Sequence, residues 1–263
     1  MFSSTAGLIS QKNAISISVT GGNLRYHNCL EATIAGLDMY IPAGLWTCIL
    51  GRSGCGKSSL LRQLANLLGD TAQWTGEITT QPEGDSKHQI AYMAQEDLLM
   101  PWLSVLDNVM LSTQFGPQRP SQKTQLQFDK AHSLLKKVGL SNQSNSLPEQ
   151  LSGGMRQRVA LARTLMQDHP VVLMDEPFSA LDAVTRYRLQ NLACQLLQNK
   201  TVVLITHDPQ EAIRLANQLY IMQGRPAFAK LLAIPDSGTP RHFNAECAQL
   251  QQTIMDCLEQ DYE

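Results

Sequence analysis

The stretch Gly51-Arg52-Ser53-Gly54-Cys55-Gly56-Lys57-Ser58 fits the pattern G-x-x-x-x-G-K-[ST] at every fixed position. Before it, the run Trp46, Thr47, Cys48, Ile49, Leu50 predicts a short buried strand, and residues 58–68 after it predict a helix. Glycines at these positions let the backbone bend around a polyphosphate with successive N–H groups aimed at anionic oxygens. The helix that follows offers its unpaired N-terminal N–H groups and the positive end of its dipole to the same anion. Gly51, Arg52, Ser53, Gly54, Cys55, Gly56, Lys57, Ser58 and Ser59 are therefore the candidate phosphate-cradling residues. Among them, Lys57 can reach β- and γ-phosphates as a point charge, and the Ser58 hydroxyl can ligate Mg²⁺. The expectation is a nucleoside triphosphate site.

Length and composition narrow the remaining choices. A chain of 263 residues can form one large α/β domain with a buried core and room for a subdomain. The formal net charge of −2, with both signs spread along the chain, lacks the basic footprint of a nucleic-acid binder, so no nucleic-acid partner is expected. The six cysteines, Cys29, Cys48, Cys55, Cys194, Cys247 and Cys257, form no C-x-x-C pair and no zinc spacing. Most lie in apolar periodic segments, which predicts reduced, buried thiols; Cys55, inside the glycine-rich loop, is the one exposed to oxidation on this reading. Residues 1–11 show no basic segment followed by a long apolar one, so no signal peptide is read there. No apolar run approaches the roughly 20 residues that span a bilayer, and the chain reads as soluble.

Along the chain, Ile15, Ile17 and Val19 alternate with serines as in a half-buried strand, Gly21-Gly22 reads as a turn, and Tyr26 lies in a further extended segment. Residues 37–41 lead through Pro42-Ala43-Gly44 into the strand before the loop, and short strands are expected near Ile78 and over residues 90–93. Together these predict an antiparallel β region at the front of the nucleotide site. From about residue 97 to 166 the periodicity is helical, with one helix closed by Gly139. Residues 171–174 and 202–205 are short, wholly apolar runs expected of buried parallel strands, with a helix over residues 183–198 between them. Near the C-terminus, Phe243, Cys247, Leu250, Ile254 and Leu258 form one helical stripe, read as packing on its own domain.

Further chemistry falls in order behind the loop. Val171-Val172-Leu173-Met174-Asp175-Glu176 is an apolar strand ending in two carboxylates, at the sheet edge where ligands bind in such folds. Asp175 is placed to hold Mg²⁺ through water, and Glu176 to orient and deprotonate an attacking water. The strand over residues 201–205 leads to His207. Alone it reads as a structural histidine; beside Glu176 on the neighbouring strand it is a candidate γ-phosphate contact. Gln95, after the strand at residues 90–93, is a candidate ligand of Mg²⁺ or of the attacking water. Leu151-Ser152-Gly153-Gly154-Met155 opens a helix with Ser152 as N-cap, and Ser152, Gly153 and Gly154 form a second anion site. Two sites of the γ-phosphate type in one chain suggest that two copies share each nucleotide.

At this point the chain resembles the ATP-binding cassette ATPases over nearly all of residues 12–225. The Walker A loop, Gln95 of the Q-loop, the signature Leu151 to Met155, the Walker B strand ending Asp175-Glu176, the D-loop Ser179-Ala180-Leu181-Asp182 and the switch His207 are all present in order. Met155 stands where the family usually has Gln, and Ser59 where Thr is common. The resemblance implies an α/β P-loop NTPase fold with a mainly parallel core sheet, an N-terminal antiparallel β subdomain and an inserted α-helical subdomain. It divides the chain into a nucleotide-binding domain over residues 1–225, with the helical subdomain at about 97–166, and a C-terminal extension over 226–263. It implies ATP and Mg²⁺ as ligands, Tyr26 as the aromatic that stacks on adenine, and a head-to-tail homodimer. In that dimer Ser152 and Gly154 of one subunit close over ATP held by Lys57 of the other.

A finer resemblance, in the loop itself and in Leu98-Leu99-Met100-Pro101-Trp102-Leu103-Ser104-Val105-Leu106-Asp107-Asn108-Val109, is to importer ATPases for nitrate, sulfonates, taurine and pyrimidine precursors. It implies a peripheral subunit on the cytoplasmic face of the plasma membrane. Its partners would be a membrane permease, contacted near Trp102, and indirectly a solute-binding protein. Ordinary subdomain core is the plainer reading of this stretch, and Trp102 is expected to serve both roles. A soluble ATPase of cluster assembly is the alternative function.

Overall fold

The structure, a computed structural model, describes residues 14–83, 89–115 and 124–261, so the signal-peptide reading of residues 1–11 lies outside the described residues. In chain order the elements are β1 (Ser16–Tyr26), β2 (Ile34–Ile41), β3 (Trp46–Gly51), α1 (Lys57–Leu64), β4 (Ala72–Gln81), β5 (Ile90–Met93), α2 (Val105–Val109), α3 (Gln125–Lys137), α4 (Gly153–Met166), β6 (Val171–Asp175), α5 (Ala183–Leu196), β7 (Thr201–Ile205), α6 (Pro209–Leu215), β8 (Gln218–Gln223), β9 (Phe228–Leu232) and α7 (Ala245–Gln260). The chain divides into two compact units. One comprises Met1–Ile90, Pro170–Asp175 and Leu197–Glu263, and the other Ala91–His169 and Glu176–Leu196.

The first unit is built on a sheet of order β5-β6-β7-β3-β8-β9, which β5 joins at its edge, starting from Ile90. β6, β7, β3 and β8 are parallel, and β9 returns antiparallel to β8. Every residue of β3, β6 and β7 is buried. These strands carry continuous apolar runs because a parallel sheet is covered on both faces. A second sheet of order β2-β1-β4 is wholly antiparallel. In β2 the side chains alternate, with Ile34, Leu37, Met39 and Ile41 buried and the residues between them more open, as in a sheet with one wet face. The mainly parallel core with antiparallel N-terminal strands is the architecture expected from sequence.

Two local expectations are corrected in this unit. Gly21-Gly22 does not turn the chain: β1 runs through it as one strand, with register shifts between Val19 and Gly22 against β2. The glycines make a bulge, Gly21 at φ +58°, and the Trp74 ring lies where a Gly22 Cβ would stand, at 2.5 Å. The helix after the loop ends at Leu64 rather than Leu68, because Asn66 takes φ +56°. Leu67 N then donates to Arg62 O at 2.8 Å and Asn66 N to Gln63 O at 2.9 Å, the paired bonds of a Schellman ending.

The second unit is helical. α3 starts in a capping box, in which Thr124 and Gln127 bond reciprocally. It stops at Gly139, φ +74°, where Leu140 N reaches Leu135 O at 2.8 Å. α2 and α3 both pack on α4, burying Ala131, Leu134, Leu135, Val159 and Leu161 among others. The cysteines also need correction. Cys48, Cys55 and Cys247 are buried and Cys194 and Cys257 intermediate, but Cys29 is exposed. Among the described residues no helix is long and apolar enough to cross a membrane.

Candidate functional site

In the first unit, three adjacent parallel strands end at one edge. β3 delivers Gly51, β6 delivers Asp175, and β7 leads to His207. The register fixes their levels: Asp175 pairs with Ile205, Ile49 pairs with Ile205 from the other side, and Thr206 N still donates to Ile49 O at 3.3 Å. Asp175 is 2 % exposed, whereas His207 is exposed, next to Asp208, which N-caps α6 by accepting from Gln210 N and Glu211 N. Ligands bind at the carboxyl ends of such strands.

The loop between β3 and α1 depends on its glycines. A Cβ on Gly51 would stand 2.5 Å from Met222 O, and one on Gly56, at φ +105°, 2.9 Å from Thr33 Cγ2. Gly56 is the N-cap of α1 and supplies no side-chain cap, so no side-chain oxygen of its own competes for the N–H groups of the first turn. Lys57 is 7 % exposed, and its Nζ donates to Gly51 O and Arg52 O, each at 2.8 Å. The ammonium is thus held against the inside of the loop. Ser53 and Gly54 are exposed and Ser58 and Ser59 half-buried. Tyr26 lies at the end of β1 with its hydroxyl 2.9 Å from Ser59 Oγ.

Cys55 departs from the expectation that it is prone to oxidation. It is 4 % exposed, its Sγ is 3.9 Å from Lys57 Nζ, and burial pushes its thiol pKa up against the smaller opposing pull of Lys57. A protonated, enclosed thiol reacts slowly.

In the second unit, Glu176 follows Asp175 directly and sits at φ +47°, an uncommon conformation for a residue with a side chain. Its carbonyl is pinned by Gln157 Nε2 at 3.4 Å, Ser179 Oγ at 3.0 Å and Ser179 N at 3.3 Å. Its carboxylate accepts from Gln95 Nε2 at 3.5 Å, so the structure brings these two candidates together by a long contact of the kind that tightens on ligand binding. Gln157, 5 % exposed on α4, is a supporting residue that the sequence reading missed.

The same helix presents the second anion site. Ser152 Oγ accepts from Met155 N at 3.3 Å as N-cap of α4, and Ser152 and Gly153 are exposed. Gly154 faces the Ala180 and Leu181 segment, where a Cβ would lie 3.3 Å from Leu181 Cδ2. Asp182 caps the start of α5 by accepting from Val184 N and Thr185 N, and the Thr185 hydroxyl first, then these backbone donors, hold its carboxyl below the usual range.

Two arginines on α4, also missed from sequence, fix the segment that follows Gln95. Arg156 Nε contacts Asp97 Oδ2 at 2.8 Å and its Nη1 donates to Leu151 O at 2.9 Å. Arg163 donates to Leu98 O at 2.7 Å and Asp97 O at 2.6 Å; burial lowers its pKa and Asp97 opposes that shift. Beyond them Asn108, wholly buried, donates to Met100 O, Leu103 O and Ser104 O and accepts from Met100 N at 2.8 Å. That hub holds a loop on which Trp102 is 72 % exposed, so the core reading of Trp102 fails.

The family model described as ABC transporter matches residues 34–179. An uncharacterized ABC transporter ATP-binding protein of Haemophilus influenzae is 44% identical over 224 residues, 83% of this chain and 89% of that one. An aliphatic sulfonates import ATP-binding protein of Mesorhizobium japonicum is 39% identical over 232 residues, 87% of this chain and 83% of that one. Its namesake in Rhodococcus jostii is 37% identical over 250 residues, 94% of each. Among solved structures, an ATP-binding cassette dimer in a post-hydrolysis state, bound to ADP and Pi, is similar at TM-score 0.70 and 28% identity, over 86% of this chain and 100% of that one.

Proposed function

This chain belongs to the ABC transporter family of ATPases, and on that premise we propose that it is the ATP-binding subunit of an importer whose solutes are aliphatic sulfonates or similar small oxyanions. The observation that carries the proposal is the presence in one chain of a closed phosphate loop and a second, exposed helix N-terminus at Ser152-Gly153-Gly154. ATP lies along the loop, its phosphates on the N–H groups from Gly51 to Ser59 and on the Lys57 ammonium. The adenine stacks on Tyr26. Glu176 takes the proton of the attacking water, with Gln95 orienting that water and His207 touching the γ-phosphate.

Ser58 and Asp175 offer the hard oxygen donors that Mg²⁺ takes when phosphates and water complete its shell, and Gln95 is a further candidate ligand. The ion would neutralise charge on the β- and γ-phosphates. Two copies, head to tail, close over two nucleotides, with Ser152, Gly153 and Gly154 of each facing the other's ATP.

The exposed Trp102 is the anchor for a membrane permease, so the chain works as a peripheral subunit on the cytoplasmic face, with a solute-binding protein acting at a distance. On this proposal residues 1–225 are the cassette, with its helical part at about 97–166, and 226–263 are an extension. The sulfonate class rests on the names of the relatives, which favour import over cluster assembly. The test is to purify the tagged chain with its membrane partner, reconstitute both in vesicles, and measure ATP-driven uptake of an alkanesulfonate, taurine and nitrate. Uptake of the sulfonates supports the proposal. A soluble chain that copurifies with no membrane subunit contradicts it.

A further inference from the structure

The C-terminal helix α7 ends on the phosphate loop. Asp261, its C-cap, sets Oδ2 at 3.0 Å from Arg52 Nε, and Arg52 Nη1 donates to the Asp261 backbone carbonyl at 3.2 Å. The two side chains are 9 % and 8 % exposed, so the charges meet away from water. The other carboxylate oxygen accepts from Gly224 N at 2.5 Å, in the turn after β8, the strand that pairs Met222 with Gly51. The carbonyl of Arg52 is one of the two that receive Lys57 Nζ. One residue near the end of the chain therefore grips, 209 positions away, the residue whose peptide holds the phosphate-binding lysine.

The rest of the extension makes that grip firm. Arg241 is 6 % exposed and donates to Ile213 O at 3.1 Å, to Ala216 O, and twice to Pro235 O, which ties the chain before α7 to the end of α6. α7 then packs on α6, burying Cys247 and Ile254. A helix fastened before its start and along its length holds Asp261 in place against Arg52.

We infer that Asp261 is a positioning residue for the phosphate loop, acting through Arg52 on the carbonyl that holds Lys57. The inference rests on the reading of that loop as the ATP site. Residues 226–263 then set the affinity of the site, and any partner that pulls α7 away weakens ATP binding.

The experiment titrates Mg-ATP into the full-length chain and its variants by calorimetry, with thermal melting in parallel. Asp261→Asn and Arg52→Gln are each expected to weaken Mg-ATP binding about tenfold, and the double variant no more than the weaker single, because both break one interaction. Asp261→Glu, which keeps the charge, should return affinity to within about threefold of wild type. Asp256→Asn, an exposed residue of the same helix bonded to Gln252, should leave binding unchanged. Wild-type affinity in Asp261→Asn with a lowered melting temperature would overturn the inference, since the pair would then only fasten the tail. So would effects that multiply in the double variant, or an Asp261→Asn chain without a cooperative melt. A wild-type chain that does not bind Mg-ATP removes the ATP reading itself, a result separable from all of these.

Discussion

The two compact units carry their chemistry differently. In the first, the phosphate loop is closed on itself. Its strand is wholly buried, Gly51 and Gly56 leave no room for a Cβ, and Lys57 is bonded to loop carbonyls at 2.8 Å. In the second, Gln95, Ser152 and Gly153 are exposed, Glu176 is half-buried, and the firmness comes from residues behind them: Gln157, Arg156, Arg163 and Asn108. A loop that must enclose a polyphosphate is shaped by its own backbone. A surface that must meet water, a second copy or another protein keeps its tips open and is supported from beneath. Changes in the first unit should therefore strike nucleotide binding, and changes in the second should strike turnover, stability or coupling.

The largest effect is expected at Lys57. Lys57→Ala removes a charge-assisted contact to the phosphates and should weaken Mg-ATP binding by roughly 10²–10³-fold, with the fold intact, as read by calorimetry beside a circular-dichroism melt. Unchanged affinity in a folded variant would remove Lys57 from the phosphate contacts. Glu176→Gln should lower turnover about 10²-fold or more while Mg-ATP affinity stays near wild type, a split that steady-state phosphate release and equilibrium binding report together.

Asn108→Ala strands Met100 N and strips a donor from three carbonyls, so urea unfolding should show a loss of about 2–4 kcal/mol without a matching loss of ATP affinity. The smallest effect on the isolated chain belongs to Trp102→Ala. At 72 % exposure it should change stability by less than about 0.5 kcal/mol and ATPase rate by a few-fold at most. Pull-down of the permease by the same variant should fall sharply, and retained permease binding would remove Trp102 from the interface.

What could be read from the sequence follows the range of the interactions. Strand, loop and helix around Gly51 were legible because the determinants are neighbours: an apolar run, two glycines and a lysine at fixed offsets, then a helix. The buried parallel strands β6 and β7 were legible because burial on both faces leaves unbroken apolar runs, and Gly139 because helix endings are local. Gly21-Gly22 was misread because the Trp74 ring that needs a bulge there comes from a strand about fifty residues later. The end of α1 was misread because Asn66 does the work more often done by glycine. No local pattern links Gln157 to the backbone of Glu176, or Asp261 to Arg52. Those supports are set by the tertiary fold.

The claim that each nucleotide is shared between the Lys57 loop of one copy and the Ser152 helix of another is tested most directly by sedimentation velocity on the full-length Glu176→Gln chain with saturating Mg-ATP. With hydrolysis blocked, nothing reopens the closed pair, so the chain is expected to shift from monomer to dimer, and a further Ser152→Arg substitution to abolish that shift. A Glu176→Gln chain that binds Mg-ATP and still sediments as a monomer would contradict it.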